Sequence, residues 1–167
     1  MRTGRQIGIP APHSGLVRLS TDDIEERSRL HVWREVYSRN LFNIDIEPIG
    51  DTPFRVDVAI RKLPGIHILL GTRSASRTGV TRPLLQTAAD NLILAVTLKG
   101  RSQVCQSNRE VMVEPGSAVL LSTTEVGNHA LEDNGMLLSV VIPKASIEPF
   151  IGDVGSALMR QIGRAHV

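Results

Sequence analysis

The fold is decided by the stretch Asn91–Leu121, NLILAVTLKGRSQVCQSNREVMVEPGSAVLL. It opens with the apolar run Asn91–Leu98, and turn residues then interrupt it at Lys99-Gly100, Ser107-Asn108 and Glu114-Pro115-Gly116. Short strands separated by Gly, Pro and Asn about every ten residues are typical of a β-barrel or β-sandwich. The first run is apolar on both faces, which predicts a strand buried within the sheet. Because the stretch contains no catalytic triad, phosphate loop or metal cluster, it predicts a barrel or sandwich that encloses a space rather than a catalytic site.

The same pattern continues on the N-terminal side. Phe54–Arg61 alternates apolar and polar residues, so its apolar side chains share one face of a strand. Leu63-Pro64-Gly65-Ile66 is typical of a type II turn, which predicts a hairpin with a second strand over Ile66–Arg73. The other predicted elements are an edge strand around Arg77–Arg82, a polar loop over Thr123–Asn134, a strand over Met136–Ile142 and incomplete helices over Ala145–Phe150 and Gly155–Arg160.

One amphipathic helix is predicted before the strands, from Asp22 to Arg39. Asp22 and Glu25 have the spacing of a capping box, and apolar residues follow at helical spacing at Leu30, Trp33, Tyr37 and Leu41. Residues 1–20 lack any periodicity, and we expect a flexible lead-in there.

Trp33 and Tyr37 are the only Trp and Tyr of the chain and lie one helical turn apart. They could form an aromatic wall against a ligand. The alternative is that they pack the helix onto the barrel, which is the commoner role of aromatic residues at this spacing.

Composition excludes several function classes. The 167 residues fit one domain, and the formal net charge is only +2 although sixteen of the nineteen basic residues are Arg. No run of basic residues forms a patch, so we do not expect this chain to bind DNA or RNA directly. A single cysteine, Cys105, excludes a disulfide framework. No apolar leader or membrane-spanning run is present, which predicts a cytoplasmic protein without membrane contact.

Several short motifs occur together in a characteristic order. The sequence resembles the N-terminal sensor domain of AraC-type transcriptional regulators, in the branch that opens with a helix and continues as a cupin-like barrel. The resemblance covers about residues 20–160. Its motifs are Trp33-Arg-Glu-Val-Tyr37, Asp45-Ile-Glu-Pro48, Thr52-Pro-Phe54, Leu63-Pro-Gly65, Ala89-Asp90-x-Leu92, Gln106-x-x-Arg109-Glu110, Pro115-Gly-x-Ala-Val-Leu-Leu121 and Val141-Ile-Pro143.

The resemblance implies a mainly β fold: a cupin-like barrel of jelly-roll type over residues 21–160, with one N-terminal helix and short C-terminal helices. It further implies a domain that binds a small-molecule effector or forms a homodimer, with DNA bound only through a C-terminal helix-turn-helix domain. That second domain needs about 100 residues, and the sequence after Pro143 is too short to contain it. Ser117 and Asn108 depart from the family, which commonly has Asp and Gly there, and turns tolerate both.

The last residues carry a separate hypothesis. Ile162-Gly-Arg-Ala-His-Val167 is what one reading frame of a common sequencing adapter would encode, so we interpret 161–167 as a non-native tail. The alternative is that the chain is native up to Ile162.

Candidate binding residues are few. A metal-binding cupin needs about three His and a Glu converging inside the barrel, whereas the five histidines here form no His-x-His pair. We therefore expect no metal, no other cofactor and no catalytic residues. His129 alone stands where the second cupin motif carries a His, and His67 is expected to face solvent or to be hydrogen-bonded.

An effector inside the barrel would need polar groups to orient it. The effector-binding candidates are Trp33, Tyr37, Arg73, Arg77 and Arg82, since an arginine can hold a carboxylate through two hydrogen bonds. The alternative is that these arginines are ordinary exposed residues. Asp90 and Glu110 offer another local explanation, since each could pair with an arginine and hold the barrel mouth together. Two other functions stay open: a small cupin-type metalloenzyme, such as a dioxygenase or isomerase, and a stand-alone ligand-binding barrel.

Overall fold

The computed structural model describes residues 15–39 and 42–163, which form two antiparallel sheets that face each other. The strands are β1 Leu16–Ser20, β2 Asp45–Pro48, β3 Val56–Leu63, β4 Ile66–Arg73, β5 Ser76–Val80, β6 Asn91–Lys99, β7 Ser102–Gln106, β8 Arg109–Val113, β9 Ala118–Ser122, β10 Gly127–Leu131, β11 Gly135–Pro143 and β12 Gln161–Ile162. The seven-stranded sheet has the order β1-β3-β4-β11-β6-β9-β12, and the five-stranded sheet has the order β2-β5-β10-β7-β8. This jelly-roll-like sandwich confirms the predicted mainly β fold.

The helices are short and lie outside the two sheets. They are α1 Glu26–Val32, α2 Arg82–Leu85, α3 Lys144–Ile151 and α4 Val154–Ala157, and α1 continues as a π-helical segment over Trp33–Ser38. Among the residues that the structure describes, no helix is long and apolar enough to cross a membrane.

The predicted turns form as the residue types require. Gly65 has a φ of 73° in the β3–β4 hairpin, the left-handed conformation that glycine adopts without strain. Ser107 and Asn108 have φ of 53° and 56°, and they join β7 to β8 as a two-residue turn with both φ positive. The buried strand predicted at Asn91–Leu98 is β6, which pairs with β11 on one side and β9 on the other.

Two predictions in the five-stranded sheet were wrong. The loop predicted over Thr123–Asn134 contains β10, which lies between β5 and β7. Its inward-facing positions include Gly127 and His129, so the strand lacks the apolar alternation that would have identified it. The predicted edge strand Arg77–Arg82 is β5 instead, and it is not an edge because β2 and β10 flank it.

The N-terminal predictions also need correction. Leu16–Ser20 of the expected lead-in form β1, paired with β3, while residues 1–14 lie outside the described residues. The helix begins at Glu26 rather than Asp22, because Thr21 and Ile24 close a turn in which the Thr21 carbonyl accepts from the Ile24 amide. Asp22 forms no cap, and its amide donates to Ser20 Oγ. Leu41, part of the predicted apolar stripe, also lies outside the described residues.

The apolar core between the sheets is split into two clusters. One lies beside the helix and contains Trp33, Ile46 and the inward-facing residues of β3. The other lies at the opposite side, where Val104 and Val113 of the five-stranded sheet meet Val119 of β9 and Met159. A third, smaller cluster packs α3 and α4 against the outer face of β6 and β9. The interior between the two inner clusters is where polar side chains meet.

Beyond α4 the chain returns to the larger sheet. Gln161 and Ile162 pair with Val119 and Ala118 of β9 as the short strand β12. Residues 164–167 lie outside the described residues, so the foreign origin proposed for 161–167 stays a prediction.

Candidate functional site

Arg73, the last residue of β4, reaches from one sheet to the other. It is opposite the buried Val56 in the register of β3 and β4, so its side chain shares the inward face of the larger sheet. Its Nη2 donates to His129 Nδ1 at 3.0 Å, and its Nη1 donates to Thr78 Oγ1 at 3.4 Å. His129 and Thr78 are themselves register partners on β10 and β5. The three side chains therefore bridge the two sheets in the space between the apolar clusters.

The guanidinium of Arg73 is only partly satisfied. Its Nε is shielded from solvent and has no hydrogen-bond partner among the described residues. No carboxylate of the described chain forms an ion pair with it. Burial lowers the pKa of Arg73 to about 10, so the group still carries its charge at neutral pH. Arg73 as a whole is only partly buried, but its Nε has lost its hydration without a compensating partner, which is costly for a charged group.

His129 does not supply the missing charge. Burial, and then the adjacent positive charge of Arg73, lower the pKa of His129 to about 3, so the ring is neutral near pH 7. A neutral imidazole that accepts at Nδ1 carries its proton on Nε2. The ring therefore orients Arg73 through one nitrogen and offers a second hydrogen-bond donor through the other.

A pocket of about 370 Å³ opens at the end of the seven-stranded sheet that carries Arg73. Three cationic residues, Arg55, Arg73 and Lys99, are among the residues that line it, and none of its lining residues is Asp or Glu. None of the three forms an ion pair within the described residues. The local potential is therefore positive and favours an anion. The full lining consists of Thr52, Pro53, Arg55, Thr72, Arg73, Ser74, Lys99, Asn134 and Gly135.

Apolar side chains follow Arg73 along the inward face of the larger sheet. The registers of β3, β4, β11 and β6 put Leu69, Leu137 and Ala95 on the face that carries Arg73. All three are only partly buried; Leu69 packs against the helix-side cluster and Ala95 against the opposite one. The same inward face also carries Gly71, Thr97 and Ser139, so it has a charged residue at one end and a mixture of apolar and small polar side chains along it.

The sequence matches the model of the AraC-binding-like domain over residues 33–165. The chain belongs to this family. The match covers most of the chain, including every strand from β2 to β12, and so confirms the family resemblance drawn from the motifs. No curated protein matches the sequence.

Solved structures agree at the level of the fold. The AraC-like transcriptional activator CuxR superposes with a TM-score of 0.67 at 16% identity, over 81% of this chain and 50% of the CuxR chain. This AraC-binding-like domain thus spans about half the length of that activator. Two further matches are EutQ from Clostridium difficile (TM-score 0.43, 10% identity, 54% of this chain and 69% of that one) and a cupin 2 conserved barrel domain protein from Rhodopseudomonas palustris (TM-score 0.42, 14% identity, 59% and 71%). Of these three structures, only CuxR superposes closely enough to support the fold.

The two aromatic candidates of this AraC-binding-like domain lie in its helix-side core. The rings of Trp33 and Tyr37 are 4.9 Å apart and tilted by 49°. Trp33 is only 3% exposed and belongs to the apolar cluster with Ile46, and Tyr37 packs against that cluster. Their position agrees with the packing interpretation of the pair.

The other two arginine candidates lie apart from Arg73. Arg77 is exposed on the outer face of β5, and Arg82 is exposed at the start of α2. Of the three arginines proposed from the sequence, only Arg73 is part of the cluster between the sheets. The ion pairs considered for Asp90 and Glu110 are not formed, since Glu110 accepts instead from Gln103 Nε2 at 2.6 Å.

Sequence reasoning missed Thr78 entirely and treated His129 only as a cupin remnant. The signal that could have found them is weak: His129 lies in a segment long enough to be a strand, but that strand is β10, five strands after the β5 segment that holds Thr78. His67 is exposed, as expected. No three His, Cys, Asp or Glu residues in the described part of the chain form a group that could hold a metal ion.

Proposed function

We propose that this chain is the effector-sensing and dimerisation domain of an AraC-type transcription regulator and that its role is regulatory rather than catalytic. Membership of the AraC-binding-like domain family supports a regulatory role. The observation that carries the sensing role is the interior between the two apolar clusters, where Arg73 bridges the sheets with its Nε unsatisfied.

In this mechanism the effector acts through a population shift. A ligand that binds between the sheets favours one arrangement of the domain, and the coupling free energy passes to the DNA-binding domains of a dimer. The ligand can shift the equilibrium only by its differential affinity for the two arrangements. Contacts to both sheets would supply such a difference, because they depend on the sheets' relative position.

The experiment for sensing is a thermal-shift screen of the chain against neutral, cationic and anionic metabolites at constant ionic strength. At least one compound is expected to raise Tm, and the shift should grow with the logarithm of its concentration above Kd, since a ligand that binds only the native state stabilises it by mass action. A screen in which compounds of every charge class fail would contradict the sensing role.

The regulatory role and the dimer need separate measurements. Reading the genomic DNA across codon 160 tests whether the frame continues for about 100 residues into two helix-turn-helix units. Light scattering on the regulator encoded by that frame is expected to give twice the monomer mass. A monomer would refute dimerisation and leave the sensing role standing.

A further inference from the structure

The arginines of this domain differ in how their charge is compensated. Arg18, Arg34, Arg39 and Arg101 have a carboxylate oxygen within 3.7 Å, and the exposed Arg77 and Arg82 are solvated. Arg73 has no carboxylate partner among the described residues, and its Nε is shielded from solvent. Because the charge persists at neutral pH, this part of the interior lacks one negative group.

A purely structural role for Arg73 does not account for its contacts. Arg29 is the domain's example of a structural buried arginine, since its Nε donates to two backbone carbonyls, Thr21 O at 3.1 Å and Ile24 O at 3.0 Å. Arg73 bonds only to the neutral His129 ring and, at 3.4 Å, to Thr78 Oγ1. Neither partner carries negative charge, and the longer bond is weak enough to be exchanged for a ligand oxygen.

We propose that the effector is a small organic anion with an apolar body, and that Arg73 binds its carboxylate or phosphate group. This inference rests on the proposed sensing function. The planar fork of N–H groups on a guanidinium matches two oxygens of such a group, and an anion would also satisfy the unpartnered Nε. Arg55 and Lys99 line the same end and add positive potential. Leu69, Leu137 and Ala95 share the inward face of the sheet with Arg73 and are the apolar side chains available to such a body.

His129 is a positioning residue in this proposal. It holds the guanidinium through Nδ1, and since its ring is uncharged it does not compete for the anion. Replacing it with Asn keeps an acceptor near the position of Nδ1, while replacing it with Leu removes the acceptor at similar volume. These two variants separate the hydrogen bond to Arg73 from the simple filling of space.

The test measures Tm of the chain with sodium benzoate, sodium butyrate and phenyl phosphate, against benzamide and butyramide as uncharged counterparts, at one ionic strength. The anions are expected to raise Tm by an amount that grows with the logarithm of their concentration above Kd, about 5 °C at roughly 20 times Kd, and the amides to leave it unchanged. Comparing the Tm shift with benzoate to that with phenyl phosphate shows whether Arg73 prefers a carboxylate or a phosphate group. The Arg73→Met variant is expected to lose the response, and the Arg77→Gln variant is expected to keep it.

The unliganded stability of Arg73→Met is a second readout. Met fills a similar volume without a buried charge, so its Tm is expected to equal that of the wild type or exceed it by up to about 4 °C. A fall of several degrees would assign Arg73 a structural role and overturn the proposal. His129→Asn is expected to weaken the affinity for the anions less than about tenfold, and His129→Leu more than about tenfold. If both variants weakened the affinity equally, the hydrogen bond from Arg73 to His129 would not matter and the positioning role would be wrong.

The remaining outcomes separate this inference from the sensing function. If amides stabilise as well as acids, or if anions stabilise Arg73→Met equally, the anion inference is wrong and a neutral effector is still sensed. If none of the three anions shifts Tm while a neutral or cationic compound from the wider screen does, the anion inference is again overturned. Only the failure of every charge class rejects sensing itself.

Discussion

The helix-side core and the interior beside it each contain an arginine whose Nε is shielded from solvent, and the two nitrogens are bonded differently. In the helix, Arg29 is 9% exposed and its Nε donates to two backbone carbonyls. Arg34 donates to Ile46 O through Nη2 at 2.7 Å and through Nε at 3.2 Å, and the carboxylate of Asp45 lies 3.4 Å from its Nε. In the interior, Arg73 holds a neutral ring and a distant hydroxyl and leaves Nε without a partner. An arginine whose donors are used stabilises the fold, whereas one whose donors stay unused at the cost of stability is poised for a ligand.

The largest effect is expected from Trp33, at the centre of the helix-side region. Trp33→Ala should lower the free energy of unfolding by about 3–5 kcal/mol, because it removes a fully buried aromatic side chain and leaves a cavity. Urea denaturation measures the loss, and Tyr37→Phe, which keeps the ring, is the matched control. If Trp33→Leu folded stably but no longer bound the anion probes, Trp33 would be part of the ligand site. The assignment of the helix-side core to stability alone would then be wrong.

Arg29 gives the next largest effect and the sharpest contrast with Arg73. Arg29→Met should lower the free energy of unfolding by about 2–3 kcal/mol, because the carbonyls of Thr21 and Ile24 lose a charged donor. Thermal and urea unfolding should therefore show a lower stability for Arg29→Met than for the wild type. For Arg73→Met the same measurements should show an unchanged or higher stability. Equal destabilisation by both variants would mean that the two arginines are both structural.

The same difference explains how much of this molecule could be predicted from the sequence. The helix stripe, the β3–β4 hairpin and the buried β6 follow periodicities of 3.6 and 2, so local patterns were enough to find them. β10 was missed because its inward positions carry Gly127 and His129, which face a polar interior rather than an apolar core. His129 also belongs to the candidate site, so the sequence pattern failed at a strand that supplies a residue of that site.

Arg73 shows the limit of composition as a guide to the site. Nothing local distinguishes it from Arg77 or Arg82, since all three belong to one arginine-rich segment. What separates them is long-range register: the pairing of Arg73 with Val56 sets its face, and the pairing of β5 with β10 sets its partners. Contacts over 56 residues of sequence are fixed only by the complete fold.

A smaller effect is expected from the protonation of His129. Its native pKa of about 3 lies below the value near 6.5 of an unfolded histidine, so the unfolded chain binds the proton first as pH falls. Its contribution is fully present above about pH 6.5 and is lost progressively as pH falls toward 3. Between pH 7 and pH 5 the free energy of unfolding should fall by about 1–2 kcal/mol more in the wild type than in His129→Asn. Parallel pH profiles for the two proteins, measured by urea denaturation, would show that the ring is accessible to protons.

Arg77 should give the smallest effect, because it lies next to Thr78 in sequence but on the outer face of the same strand. Arg77→Gln should change the free energy of unfolding by less than about 0.5 kcal/mol. Its measurable consequence lies at Cys105, where burial and then Glu110 raise the pKa of the thiol while the charge of Arg77 lowers it. Removing that charge should slow alkylation of Cys105 by iodoacetamide about twofold, since the thiolate is the nucleophile, and Glu110→Gln should accelerate it. If Arg77→Gln instead weakened binding of the anion probes, the site would extend across the strand to its outer face, and the distinction between Arg73 and its surface neighbours would no longer hold.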